Sequence, residues 1–65
     1  MFSESIVNGV TKWTFPHGYL EWVILDGVAT LCFLHVDDTH RRQGVGSEMM
    51  GEWAEYLIKI GRAHV

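Results

Sequence analysis

Arg41-Arg42-Gln43-Gly44-Val45-Gly46-Ser47 divides the chain into two kinds of pattern, short apolar and alternating runs before it and one amphipathic segment after it. Its two glycines, one residue apart, let the backbone reverse without a Cβ clash. The apolar residues that follow, Val45, Met49, Trp53, Ala54, Leu57 and Ile60, recur at three- and four-residue steps, the period of a helix face. Glu48, Glu52, Glu55 and Lys59 take the opposite side, and Gly61 is a natural C-cap. This spacing predicts a helix from Gly44 or Val45 to about Ile60, leaving Arg62-Ala63-His64-Val65 for at most a short edge strand. A helix that starts straight after the glycines has N–H groups with no internal partner. Those donors, the positive end of the helix dipole and the two arginines upstream form a place for a phosphate or pyrophosphate. Two of the five Lys and Arg residues fall in this stretch, so basic charge is concentrated there.

Upstream, the turn chemistry is explicit. Asn8-Gly9 separates Ser5-Ile6-Val7 from the run Val10 to Phe15, and Asp26-Gly27 separates Tyr19–Leu25 from Val28–Val36. Both dipeptides tolerate positive φ at two successive positions, which a tight hairpin requires. Pro16-His17-Gly18 makes the reversal between them, and Asp37 to Gln43 is a loop. The predicted fold is α+β, an antiparallel four-stranded meander with one C-terminal helix packed on one face, in a single domain over residues 1–65. Two-residue turns set Leu25 opposite Val28, Val23 opposite Thr30 and Glu21 opposite Cys32. Leu20, Trp22, Ile24, Ala29, Leu31 and Phe33 then share an apolar face for the helix. Trp13, Phe15, Tyr19, Glu21, Val23, Thr30, Cys32 and Leu34 fall on the other, which is aromatic enough to call for a partner, a ligand or a second subunit. A bulge in the fourth strand would shift this sorting locally.

Composition narrows the function classes. The chain is 65 residues long, 48% hydrophobic, with three Trp, three Phe and two Tyr, which is the make-up of a folded domain. A domain this small buries only about 60% of its unfolded surface, so pairing with another copy or another protein is the expected source of extra burial. One cysteine, Cys32, allows no internal disulfide and fits a reducing cytoplasm. The net charge of −3 argues against nucleic acid as a partner. No apolar run approaches the length of a bilayer span, and Met1-Phe2-Ser3-Glu4 lacks a basic leader, so no membrane association is expected.

The stretch Arg41-x-x-Gly44-x-Gly46 resembles motif A of the GNAT acetyltransferase superfamily, R/Q-x-x-G-x-G/A, with Leu34-His35-Val36 ending the preceding strand and Glu48-Met49-Met50 continuing into the helix. The likeness is close from Val28 to Gly61 and looser over the hairpins. It implies acetyl-CoA as cofactor. Backbone amides of Gln43, Gly44, Val45, Gly46 and Ser47 would hold the pyrophosphate with charge from Arg41 and Arg42, and Leu34 and Val36 would present backbone groups to pantetheine. It also implies acetyl transfer to an amine of a small molecule or protein, which needs a proton acceptor and an acid. The strand positions where the family carries a base hold Thr30 and Cys32, so Glu21, opposite Cys32 in the expected register, is the candidate. Tyr19 and Tyr56 are the only tyrosines, and Tyr56 belongs to the helix, where packing is its simpler role. Set against the whole family pattern, the chain is a truncated core carrying the pyrophosphate-binding half.

A second reading stays open. A compact acidic chain could instead be a non-enzymatic inhibitor or adaptor of phage type that binds a host protein, with Trp13, Phe15 and Tyr19 as anchors. His35, Asp37 and His40 have ligand chemistry that suits zinc, but the spacing H-x-D-x-x-H belongs to no common site and is not read as one. Cys32 lacks an evident histidine partner and reads as a buried structural thiol.

Overall fold

The computed structural model describes residues 2–40 and 44–61. Four strands, β1 (Ser3–Val7), β2 (Val10–Phe15), β3 (Gly18–Leu25) and β4 (Val28–Val36), form one sheet in the order β1-β2-β3-β4. A 3-10 turn (Asp38–His40) follows, and then helix α1 (Val45–Lys59). All neighbouring strands are antiparallel, so the architecture is the α+β meander with one C-terminal helix. The turns are built as their residues require. Asn8 and Gly9 have φ of 52° and 80°, and Asp26 and Gly27 have 51° and 79°. Two successive left-handed residues give the turn twist that matches the strands. At the helix end, Ile60 is the cap, and Gly61 takes φ 70° with its N–H donated to the Ile58 carbonyl at 3.1 Å.

The register corrects the expected sorting in two places. The reversal after β2 uses only Pro16 and His17, and Gly18 already lies in β3 opposite Phe15. That parity puts Trp13 opposite Leu20, so Trp13 and Phe15 stand on the helix side, fully or nearly fully buried, and are not anchors on an open face. In β4, Trp22 pairs with Leu31 but Glu21 pairs with Phe33, so Cys32 is the extra residue of a β-bulge. Beyond the bulge the faces exchange: Leu34 joins the helix side opposite Leu20, and Phe33 moves to the other side. Cys32 itself is exposed, where a buried thiol was expected. Ile24 and Ile60 also lie outside the core, at 40% and 49% exposure.

The inner face of the sheet, under α1, holds the core: Trp13, Phe15, Leu20, Trp22 and Ala29 meet Met49, Trp53 and Leu57 of the helix. Phe2 stacks on Trp13 with ring centroids 4.0 Å apart, and the Trp13 indole N–H donates to Glu4 Oε1 at 2.9 Å. The edge strand β1 thus closes a fully buried tryptophan from the side and satisfies its one polar atom. Tyr56 packs edge-on against Trp13 at 5.2 Å, the packing role expected of it. Among the described residues, no helix is long and apolar enough to cross a membrane.

Candidate functional site

The end of β4 lies against Gly18 of β3, and the start of α1 lies against the side chains of that same end of β4. A Cβ built at Gly18 would lie 2.1 Å from the His35 carbonyl oxygen and 3.1 Å from Val36 Cα, so β4 passes at backbone contact over β3. No other residue type fits. Sequence reading assigned Gly18 only to a turn; a two-residue turn at Pro16-His17 sets it opposite Phe15, and the bulge in β4 then brings Val36 opposite it on the other side.

The hydrogen bond between Asp37 N–H and the His17 carbonyl, 2.9 Å, extends the β3/β4 ladder past its last strand residues. Bonded and non-bonded steps alternate in an antiparallel pair. The pairs Leu20/Leu34 and Gly18/Val36 are therefore the non-bonded steps, and the peptide groups of Leu34 and Val36 are directed away from β3. β4 is the last strand of the sheet, so they face its outer edge.

The beginning of α1 lies near the Val36 and Leu34 side chains at this end of β4. Gly44 is the N-cap residue in the left-handed region, φ 77° and ψ 7°, and among the described residues no side chain caps the helix. The first helical bond runs from Glu48 N–H to the Gly44 carbonyl at 3.0 Å. The N–H groups of Val45, Gly46 and Ser47 precede it and have no partner within the helix. Their positive end carries only one acid in the first turn, Glu48. The two glycines have different explanations. Gly44 adopts a backbone that an L side chain rarely takes, so the chain reversal itself requires it. Gly46 has no positive φ, and a Cβ there would meet only Val36 Cγ2 at 3.6 Å and Leu34 Cδ2 at 3.9 Å, ordinary contact distances. The fold does not demand glycine at position 46. A small residue above uncapped amides leaves room for a ligand to reach the backbone, so the residues present fit a diphosphate. Arg41, Arg42 and Gln43, the remaining residues expected here, lie outside the described residues.

Glu21 is not brought to this place. It sits on β3, half-buried, on the sheet face turned away from α1, opposite Lys12 on one side and Phe33 on the other. Its candidacy as a base rested on facing Cys32, and the bulge removes that pairing. Cys32 Sγ makes only a long contact, 3.8 Å, to the Thr30 carbonyl. His35 Nε2 lies 3.6 Å from Asp37 Oδ1 at the surface, an ion pair whenever the imidazole is protonated. The His40 side chain lies outside the described residues, and among those described no three His, Cys, Asp or Glu groups are placed to hold a metal ion.

The last residues of β4 and the first turn of α1, with its amides uncapped among the described residues, thus come together. The family described as acetyltransferase (GNAT) matches residues 8–65 of the chain, which covers β2 through α1 and the loop with both glycines. No curated protein and no solved structure matches.

Proposed function

Because the chain belongs to the acetyltransferase (GNAT) family, we propose that it binds acetyl-CoA at the β4–α1 junction and transfers the acetyl group to an amine of a small molecule or protein. One observation carries the reading: among the described residues the amides of Val45, Gly46 and Ser47 are uncapped near the end of β4, and Gly46 is smaller than its packing requires. In this reading Gly44, Val45, Gly46 and Ser47 hold the diphosphate by backbone N–H groups, which cost no rearrangement because the helix already orients them. Gln43 adds a further amide, and Arg41 and Arg42 add charge. The peptide groups of Leu34 and Val36 take the pantetheine arm along the strand edge, as a neighbouring strand would be taken. When bound, acetyl-CoA supplies a thioester, an acyl carbon that an amine can attack.

Glu21 stands on β3, with β4 between it and the outer edge. The lone exposed Cys32 suits a reducing compartment, and a cytoplasmic location belongs to the same proposal. So does an oligomer or protein partner over the uncovered sheet face. The test is a calorimetric titration with acetyl-CoA, followed by thiol release in the presence of a panel of amines. Binding that is weakened by Gly44→Val supports the site, and amine-dependent thiol release supports transfer. Absence of binding by a chain that circular dichroism shows to be folded would sink the assignment.

A further inference from the structure

The outer face of the sheet, turned away from α1, takes no part in the site above. We propose that it is an interface between two copies of this chain, packed face to face about a two-fold axis that runs along the strands between β2 and β3. Registered partners share a face, so one row across the outer face reads Ser5, Lys12, Glu21 and Phe33 from β1 to β4. A two-fold axis so placed lays β1 of one copy over β4 of the other, and β2 over β3. The row then meets its own reverse, Phe33 over Ser5 and Glu21 over Lys12, as a self-complementary interface requires.

The side chains suit that pairing. Phe33 is half exposed, at 50%, and stands out from β4 with only Tyr19 stacked beside it at 5.7 Å. Ser5, with Val7, Val10, Lys12 and Glu21, lines a shallow groove of about 200 Å³ across β1 and β2, which is where the second copy's Phe33 arrives. Lys12 leans over the Tyr19 ring, Nζ 4.3 Å from its centroid, and not onto Glu21, its partner in register. Glu21 makes no ion pair among the described residues. Each copy therefore presents one uncompensated acid and one base in the order that the two-fold axis turns into two cross-pairs. In the next row Val7/Val10 and Val23/Thr30 bring three valines and a threonine together.

Four strands spaced by about 4.8 Å and about 25 Å long give a footprint on the order of 500 Å² per copy. That is below the roughly 800 Å² per partner of a standard interface, so the dimer is a weak one. The pairing leaves the outer edge of β4 and the start of α1 uncovered, and it stands whether or not acetyl-CoA binds.

Sedimentation velocity of the full chain from about 5 to about 500 µM reads it directly, with the expected shift from monomer to dimer. Phe33→Asp removes the dimer, while far-UV circular dichroism at low concentration stays that of the folded chain. Lys12→Glu and Glu21→Lys each weaken association roughly ten-fold or more, and the double exchange restores it. A chain that stays monomeric at 500 µM overturns the proposal and leaves this face to a partner of another kind. So does a dimer unmoved by Phe33→Asp, or a double exchange that fails to restore what the single changes lose. Calorimetry with acetyl-CoA on the monomeric Phe33→Asp protein reads cofactor binding separately.

Discussion

The two faces of the sheet carry similar aromatic content, from β2 and β3 on the inner face and from β3 and β4 on the outer, and put it to different use. On the inner face Trp13 is wholly enclosed: Phe2 stacks on it, Trp22 and Tyr56 meet it edge-on, and its N–H is bonded to Glu4. On the outer face Tyr19 stacks on Phe33 at 5.7 Å and meets His35 at a tilt at 5.2 Å, but among the described residues no element lies over them. Ring–ring contact is therefore common to both faces, and coverage is what separates them. Coverage removes about 150–250 Å² of aromatic surface from water per side chain, and on this sheet only the helix side has it. The inner face holds the chain together, and the outer face adds little to that.

That contrast predicts unequal costs of truncation. Trp13→Ala should lose about 3–5 kcal/mol. A 65-residue domain has only about 3–10 kcal/mol in total, so much of the population should be unfolded at room temperature in a urea titration. Phe33→Ala, measured at low concentration, should cost about 1 kcal/mol or less. Comparable losses at both positions would break the distinction. Gly18→Ala comes next. The added methyl has the His35 carbonyl at 2.1 Å and Val36 Cα at 3.1 Å, both backbone, and neither can rotate away. Forcing β4 off β3 should cost about 3 kcal/mol, with early loss of amide protection at the Asp37–His17 bond in hydrogen exchange.

How far the sequence showed this can be judged from the same residues. Asn8-Gly9 and Asp26-Gly27 each specify a turn by backbone chemistry that few other residues allow, and the helical period after Gly44 spans four turns, so the elements were legible. Facing was not. A period of two means that one miscounted residue inverts a strand, and both misplacements have that origin. Counting Gly18 into the reversal sent Trp13 and Phe15 outward, and the Cys32 bulge exchanged Phe33 with Leu34. A bulge has no composition of its own, since it is set by how two strands settle against each other. The candidate site was legible as a motif, because two glycines before a helix imply uncapped amides. The approach of β4 to Gly18 was not, since it depends on the pairing of strands whose register the sequence leaves open.

A smaller effect tests how the inner face is closed at its edge. Glu4→Ala removes the acceptor of the Trp13 indole N–H and leaves that donor enclosed without a partner. The expected loss is about 1–3 kcal/mol, read in thermal or urea unfolding. Glu4→Gln keeps an acceptor oxygen and should lose less. Equal losses for the two variants would mean that the charge on Glu4, not its hydrogen bond, is what the tryptophan needs.

The smallest effect on stability separates the inner-face core from the ligand-facing start of the helix. At position 46 a methyl group finds open space except for ordinary contacts with Val36 and Leu34, and φ is not in the left-handed region. Alanine also lowers the backbone entropy cost of the first turn, so Gly46→Ala should raise stability by up to about 1 kcal/mol. Gly44→Ala, only two residues away, should lower it by about 1–2 kcal/mol, because there the strain lies in the backbone itself. If a diphosphate approaches the amides of Val45, Gly46 and Ser47, the two variants diverge in a second readout. The Gly46→Ala chain is then more stable alone yet gains less melting temperature from acetyl-CoA than the parent. A residue kept small for the sake of the fold cannot produce that combination, since the same methyl would have to hinder packing and improve it at once.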